Sequence, residues 1–363
     1  MATVITLSSG HEMPVVGLGT SRMRAKTVRS AVKSAILEGY RHIDTAKVYG
    51  NEEFIGAEIA RCVAEGLVER KDLFITSKVW NDDHRPEDVA RACRESLKRL
   101  KIKYLDLYLV HWPMAWAKGT MFCPDFDVTM QETWTAMEKL VREGLVKSIG
   151  VSNFGTESLG ILLKRAIPPA VNQIELHPRL AQRELVRFCQ ENDVAVSAWS
   201  PLCRYHSDVI ESPCISAVAE THRVEPAQVV LRWHLERGIV VIPRSQSRAH
   251  IRSNADVFSF SLTESEKAAI NALDKNQRIV RDFVGIFENT PRIPWRIIGA
   301  ALSGVFWIWF TLFFPRVLNL LMPQRSALEM IDISRFSTAD ALRSVVFVCA
   351  AVWVAKMAFV HIF

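Results

Sequence analysis

The sequence lacks the features that mark secreted and nucleic-acid-binding proteins. Its seven cysteines are scattered, odd in number and without a Cys-x-x-Cys pair, so reduced thiols are expected instead of a disulfide framework. No basic region followed by an apolar core occurs at the N-terminus, so no secretory signal is expected. The net charge of +6 includes no long run of Lys and Arg, so no nucleic-acid partner is expected. These absences favour an intracellular globular domain.

Two site patterns are also missing. A doubly wound dinucleotide-binding sheet would carry a Gly-x-Gly-x-x-Gly turn near its first strand, and residues 17–22 contain only the first two glycines. The spacing of His, Cys, Asp and Glu matches no metal site, so no metal is expected. The doubly wound sheet is therefore the less favoured architecture.

The chain instead alternates short apolar runs with segments of helical period. A hairpin over residues 4–15 is predicted first, as a lid over one end of the fold. Strands are then predicted at 15–20, 42–46, 73–79, 105–111, 148–152, 170–176, 195–200 and 238–243, each followed by a helical segment. Eight such units, with strands buried on both faces, fit a (β/α)8 TIM barrel. The sequence therefore predicts an α/β barrel domain over residues 1–280.

The composition changes after residue 295. Residues 297–314 contain eighteen residues without a charge between Arg296 and Arg316, which predicts a transmembrane helix. Residues 345–363 form a second apolar stretch, interrupted by Lys356, that fits a second span, an in-plane helix or a helix that binds a membrane partner. Residues 281–296 are predicted as a linker and 315–344 as a polar connecting segment. The lipid bilayer is thus an expected partner, with the barrel in the cytosol at the endoplasmic reticulum or the outer mitochondrial membrane.

Four chemically active side chains lie at or just past the ends of successive predicted strands. They are, in chain order, Asp44, Tyr49, Lys78 and His111. Because strand ends meet at one face of a TIM barrel, these side chains are expected to converge. The ammonium of Lys78, held by Asp44, would lower the pKa of Tyr49 and make it a general acid toward a carbonyl oxygen. His111 would orient that oxygen, and a bound hydride donor would attack the carbon.

Large apolar side chains follow the same strand ends. They are Trp80, Trp112, Trp116 and Phe122. Such a group can line a concave apolar site, so we predict that it forms the wall of a substrate pocket.

Seven motifs in this order resemble the aldo-keto reductases. They are GYRHIDTAKVYGNEE, LFITSKVW, LDLYLVHWP, IGVSNF, VNQIELHP, SAWSPL and VIPRS, within residues 4–280. The resemblance implies a (β/α)8 barrel that binds NADPH without a Rossmann fold and reduces aldehydes or ketones to alcohols. It also implies that Tyr49 donates the proton, that Asp44 and Lys78 tune it, and that His111 orients the carbonyl.

The same resemblance implies which residues hold the cofactor. Ser152, Asn153 and Gln173 would bind the nicotinamide carboxamide. Trp199 would stack on the nicotinamide ring, as in a subset of members that includes some prostaglandin F synthases. The remaining implied contacts are Ser200 and Leu202 along the pyrophosphate, and Arg244, Ser245 and Asn254 at the adenosine end. His250 stands where the family commonly has an arginine that meets the 2′-phosphate. NADPH stays the favoured cofactor, and use of NADH beside it is a hypothesis.

The sequence thus indicates a membrane-anchored, NAD(P)H-dependent carbonyl reductase for apolar substrates. One alternative is a reductase similar to the prostaglandin F synthases. The other is a redox-sensing regulatory subunit that binds NADPH with little turnover, because barrels resembling these reductases also serve as channel-associated proteins.

Overall fold

The computed structural model describes residues 3–120 and 124–279. In these residues a two-stranded antiparallel hairpin precedes a sheet of eight parallel strands. The strands are β1 (Val4–Thr6), β2 (Glu12–Pro14), β3 (Gly17–Gly19), β4 (His42–Asp44), β5 (Phe74–Val79), β6 (Leu105–Val110), β7 (Val146–Ser152), β8 (Val171–Glu175), β9 (Ala195–Trp199) and β10 (Ile239–Val241). The helices are α1 (Ala25–Leu37), α2 (Glu52–Ala64), α3 (Pro86–Leu100), α4 (Met130–Arg142), α5 (Thr156–Leu162), α6 (Arg183–Glu191), α7 (Ser207–Ile210), α8 (Pro213–His222), α9 (Pro226–Leu235), α10 (Arg248–Ala255) and α11 (Glu264–Asn271).

The eight parallel strands close into a barrel. They pair in chain order from β3 to β10, and a parallel bridge between Val16 and Val241 joins the two edges. The closure requires a glycine, because a Cβ on Gly19 would lie 2.6 Å from the carbonyl oxygen of Ile242. The Gly-Leu-Gly of β3 therefore serves strand packing. The prediction of a (β/α)8 barrel with an N-terminal hairpin is confirmed.

The hairpin covers the end of the barrel at which the strands begin. Leu7 and Met13 are buried there in one apolar cluster with side chains from the strands, including Phe74 and Leu107. The Ser9 hydroxyl also lies 2.7 Å from the hydroxyl of Ser148. Burial of such a side chain contributes about 1.5–3 kcal/mol, so this cluster seals the barrel. We call this the closed end, and the opposite end, where the strands finish, the open end.

The helices begin and end close to the positions that the sequence indicates. Helix α3 starts with Pro86, whose missing N–H is tolerated in a first turn. Helix α4 starts with a capping box in which Thr129 and Glu132 exchange backbone and side-chain hydrogen bonds. The short helix α7 follows an irregular turn in which Arg204 has φ 51°, a conformation that apolar periodicity does not encode.

No helix in the described ranges has the length and apolar character needed to cross a membrane. The segments predicted as linker, first span, connecting segment and second apolar stretch are 281–296, 297–314, 315–344 and 345–363. All four lie outside the described residues.

Candidate active site

A buried ion pair lies at the base of the open end. The Lys78 Nζ is 2.7 Å from Asp44 Oδ1, and the two residues are 0% and 2% exposed. Lys78 also donates to the carbonyl of Thr45 at 2.8 Å, and Gln173 Nε2 donates to the other carboxylate oxygen of Asp44 at 2.8 Å. Buried charges are stable only when paired and hydrogen-bonded, and here both are. Strands β4, β5 and β8 thus hold one fixed ammonium under the barrel mouth.

Tyr49 stands over this ammonium. It ends a one-turn 3-10 helix, Lys47–Tyr49, and its ring centroid is 5.3 Å from Lys78 Nζ. Burial raises the pKa of Tyr49 above its ordinary value, while the charge of Lys78 and hydrogen bonds from Lys78 and Ser21 lower it. The expected lowering of the Tyr49 pKa by Lys78 is present, and burial outweighs it. Tyr49 therefore stays protonated at neutral pH and can donate that proton.

His111 lies beside the phenol as a neutral imidazole. Its ring centroid is 5.9 Å from that of Tyr49 and 4.9 Å from that of Trp80, with both pairs edge to face. Burial holds the pKa of His111 well below its usual range, and the charges of Lys78 and His84 lower it further. A neutral imidazole keeps one N–H, so His111 can donate a hydrogen bond to an oxygen between itself and Tyr49.

Asn51 fastens the loop that carries Tyr49. Its side chain is 1% exposed and accepts a hydrogen bond from the Thr45 hydroxyl at 3.0 Å. Its Nδ2 donates to the carbonyls of Thr20 and Met23 at 2.9 and 3.2 Å. With both N–H groups directed at backbone carbonyls, this amide joins the loop to the segment after β3.

The predicted substrate wall is partly assembled in the structure. Trp80 and Trp116 meet edge to face at 5.4 Å between centroids, and the Trp116 amide donates to the Asn81 carbonyl at 2.8 Å. Trp112 is partly exposed at the start of the same loop. Phe122 lies outside the described residues. Trp80 therefore contacts His111 on one side and Trp116 on the other.

The residues assigned to the nicotinamide carboxamide lie together at the ends of β7 to β9. Ser152 Oγ donates to the carbonyl of Gln173 at 2.8 Å, and Asn153 Nδ2 donates to the carbonyl of His111 at 3.0 Å. The indole N–H of Trp199 donates to Asn153 Oδ1 at 2.9 Å. Through His111 and Asp44, the predicted nicotinamide contacts therefore share one hydrogen-bonded network with the four residues that carry the chemistry. We call those four the tetrad: Asp44, Tyr49, Lys78 and His111. The contacts of the predicted nicotinamide residues with a cofactor stay predictions.

A group of arginines extends the open end beyond Trp199. Burial lowers the pKa of Arg204, and the charges of Arg22 and Arg244 lower it further. Arg22, Arg204 and Arg244 follow strands β3, β9 and β10, which are neighbours in the closed barrel. None of the three forms an ion pair with a carboxylate in the part of the chain that the structure describes. Ser200 and Leu202, the predicted pyrophosphate contacts, precede Arg204 in a turn where Ser200 has φ 51°. Unpaired guanidinium groups suit a polyphosphate, so the residues present fit a dinucleotide such as NADPH.

The predicted adenosine residues lie around the start of α10. Ser245 is partly exposed, and its hydroxyl exchanges hydrogen bonds with the backbone of Ser247. His250 is exposed in the first turn of the helix, and Asn254 is 2% exposed. Ser245 therefore follows Arg244 in the loop before α10, while His250 and Asn254 lie in the helix itself.

Four residues of this end were missed in the sequence. Ser21, Arg22 and Arg204 lie in loops that follow strands β3 and β9, and their positions just past strand ends were the available signal. Asp83 follows Trp80 after β5, and its partners come from distant loops. A sequence pattern reports strand ends, whereas it does not report which loops touch.

The chain is similar to several known proteins. The Aldo/keto reductase family profile matches residues 15–204 and 211–275. The chain is 44% identical over 294 residues to aldo-keto reductase family 1 member A1 of Gallus gallus, covering 76% of this chain and 90% of that one. It is 41% identical over 298 residues to member A1-A of Danio rerio, covering 77% and 92%. The crystal structure of a Bombyx mori aldo-keto reductase in complex with NADP superposes with a TM-score of 0.76 at 40% identity, covering 81% and 99%.

Proposed function

Since the chain belongs to the aldo/keto reductase family and is an NADPH-dependent oxidoreductase that reduces carbonyl groups, we propose that Tyr49 donates the proton and that the substrates are apolar aldehydes or ketones. The observation that carries the proposal is the buried Asp44–Lys78 pair beneath a protonated phenol. NADPH, when bound, supplies the hydride.

The tetrad residues divide the remaining work. Tyr49 holds its proton at neutral pH because burial raises its pKa. As the proton leaves, the fixed ammonium of Lys78 stabilises the phenolate, and Asp44 keeps that ammonium in place. His111, neutral because burial lowers its pKa, donates an N–H to the same oxygen and so orients it.

Cofactor contacts are assigned from the order of strand ends around the barrel. Ser152, Asn153, Gln173 and Trp199 would hold the nicotinamide end. The phosphate groups would run past Ser200 and Leu202 to Arg22, Arg204 and Arg244. The adenosine end would meet Ser245, His250 and Asn254. The unpaired guanidinium groups support this direction, because Arg204 follows β9, which ends with Trp199, and Arg244 precedes α10 in the chain.

Turnover of the full chain in detergent tests the proton donor. NADPH oxidation with a reactive aromatic aldehyde should fall by about 10²–10⁴-fold in kcat in Tyr49→Phe, the range for a lost general acid, while the Kd for NADPH stays unchanged. Tyr104→Phe is the matched control, because Tyr104 lies away from the tetrad between Arg70 and Lys147. Absence of turnover in the unmutated chain, with NADPH bound, would favour the redox-sensing regulatory subunit instead.

Use of NADH beside NADPH is proposed from His250. The side chain is exposed at the rim where a 2′-phosphate would lie, and it carries no permanent charge. The ratio of kcat/KM for NADPH to that for NADH should be close to one. His250→Arg should raise it about tenfold, equal to ~1.4 kcal/mol, whereas His250→Gln should leave it unchanged. A high ratio in the unmutated chain would mean that the three arginines hold the preference alone.

Membrane anchoring is proposed from the composition of residues 297–314. Ile279, the last residue that the structure describes, lies at the open end, where its amide donates to Glu175 at 2.7 Å. A barrel held at the endoplasmic reticulum or the outer mitochondrial membrane, facing the cytosol, would meet lipid-derived aldehydes or prostaglandin precursors. Vesicle flotation of the full chain, lost on truncation at residue 296, tests the anchor. Equal activity on short polar and long-chain aldehydes would count against the substrate class.

A further inference from the structure

One buried carboxylate joins three loops of the open end. Asp83 is 0% exposed and lies in a one-turn 3-10 helix, Asn81–Asp83, directly after Trp80. Its carboxylate contacts the ammonium groups of Lys47 and Lys118, and its Oδ1 is 2.8 Å from Arg91 Nη2. Burial alone would raise the pKa of Asp83, but hydrogen bonds from Lys118 and Lys47 lower it, so the carboxylate is charged.

Each of the three cations belongs to a different part of the site. Lys47 begins the one-turn helix that ends with Tyr49. Lys118 lies two residues after Trp116, whose own amide is bonded to the carbonyl of Asn81. Arg91 lies in helix α3, outside the strands, and gives the junction a rigid support.

The opposite side of the Tyr49 loop is already fastened by Asn51 to the segment after β3. On the side of β5 and β6, the same loop is held by the ion pair between Lys47 and Asp83. Without Asp83, the ion pairs left to Lys47 and Lys118 within the described ranges are longer, 3.9 Å to Asp82 and 3.5 Å to Asp88 respectively. The Tyr49 loop would then keep Asn51 and the longer pair to Asp82, and the Trp116 segment would keep its backbone bond to Asn81 and the longer pair to Asp88. No charged group among the described residues would join the two loops to each other.

We propose that Asp83 is a positioning residue that fixes Tyr49 and Trp116 relative to each other through Lys47 and Lys118. The inference rests on the proposed role of Tyr49 for its kinetic consequence, but its structural core is a contact between loops. Asp83 touches no reacting atom, so it acts only through the two lysine-bearing loops.

The two lysines allow the role to be divided. Lys47→Met releases the loop of the proton donor and should lower kcat with little change in KM for an aromatic aldehyde. Lys118→Met releases the tryptophan segment and should raise KM with little change in kcat. Asp83→Asn should do both and lower kcat/KM by about 10- to 100-fold, the cost of a displacement near 1 Å. The Kd for NADPH should stay unchanged in all three variants.

Asp82→Asn is the matched control, because it removes the same charge one residue away and the ion pair that Asp82 forms with Lys47 is long, at 3.9 Å. It should change kcat and KM by less than about twofold, as expected for a long, partly exposed ion pair. Equal effects of Asp82→Asn and Asp83→Asn would overturn the proposal. So would wild-type kinetics in Asp83→Asn, or a matching loss of NADPH affinity, which would indicate general damage. If Asp83→Asn does not fold, the split between the two lysine variants decides.

A second measurement does not depend on turnover. Lys118 is 47% exposed, and trypsin should cleave after it faster in Asp83→Asn than in the unmutated chain, as measured by mass spectrometry of the first fragments. If Asp83→Asn is cleaved faster but the unmutated chain does not turn over an aldehyde, the loop contact is real and the proposed function is wrong. Unchanged cleavage together with unchanged kinetics would reject the role of Asp83.

Discussion

Strand β5 carries two buried side chains, Phe74 and Lys78, that belong to opposite ends of the barrel. Phe74 is 5% exposed in the apolar cluster of the closed end, and Lys78 is 0% exposed in the ion pair of the open end. Burial stabilises the fold at Phe74, because it removes apolar surface from water. At Lys78 burial is costly unless Asp44 compensates it. The same strand therefore provides stability at one end and chemistry at the other.

Strand β4 repeats the contrast over a shorter distance. His42 packs its ring against Phe74 with centroids 5.1 Å apart, whereas Asp44 holds Lys78 and accepts from Gln173. Buried ion pairs are often replaceable by apolar residues without loss of stability, so the open-end pair is best explained by its chemistry. The contrast can be tested by changing each end separately.

The largest effect is expected at the open end, from Lys78→Met. The kcat should fall by about 10²–10⁴-fold, because the phenolate of Tyr49 loses its counter-charge. Stability should also fall, since Asp44 is left buried and without its counter-charge, at a cost of about 3–5 kcal/mol in the free energy of unfolding.

The double variant Asp44→Asn/Lys78→Met separates the two effects. It removes both charges, while the amide oxygen that replaces the carboxylate can still accept from Gln173. The free energy of unfolding should therefore recover, and kcat should not. Recovery of turnover in the double variant would mean that the pair serves the fold and not the reaction. Urea titrations and NADPH oxidation, measured on the same preparations, give both quantities.

Phe74→Ala tests the closed end with the next largest effect. The free energy of unfolding should fall by about 3–5 kcal/mol, because the ring leaves a cavity among Leu7, Met13 and Leu107. The kcat and KM of the folded protein should stay within about twofold, as expected for a site outside the reaction centre. Phe258→Ala, at an exposed phenylalanine, is the matched control and should change stability by less than about 0.5 kcal/mol. A selective loss of kcat in Phe74→Ala would break the separation of the two ends.

The sequence could predict the open end because strand ends are visible in it. Apolar runs ending in Asp44, Lys78 and His111 place these residues at one face once the barrel is assumed, and the structure brings all three together with Tyr49. The pKa direction of Tyr49 could not be predicted, since it depends on how deeply the phenol is buried. The ion pairs of Asp83 with Lys47 and Lys118 could not be predicted either. The three residues lie in loops, whose sequence has no periodic pattern that shows which loops are in contact.

The smallest effect concerns pH, and it compares histidines at the two ends. Burial lowers the pKa of His42 at the closed end to about 4, and burial lowers that of His84 beside Asp83 to about 4. The unfolded chain binds a proton near pH 6.5, whereas each folded histidine stays neutral until about pH 4. The stability they contribute is therefore complete above about pH 6.5 and is lost as the pH falls toward about 4. At about 1.36 kcal/mol per pKa unit, each contributes at most ~3.4 kcal/mol.

Between about pH 6.5 and 4, the slope of the unfolding free energy against pH should decrease in His42→Gln by the amount that corresponds to about one proton taken up on unfolding. His84→Gln should have the same effect, because the slope depends on the pKa of the histidine and not on its end of the barrel. Activity should separate them. His42→Gln should leave kcat unchanged at about pH 7, since its Nε2 bonds to the Thr76 hydroxyl and its ring packs against Phe74 of the closed end. His84→Gln should lower kcat slightly through the loop that carries Asp83. Urea titrations at several pH values, with kcat measured in parallel, decide both points, and an unchanged slope in His42→Gln would contradict the first.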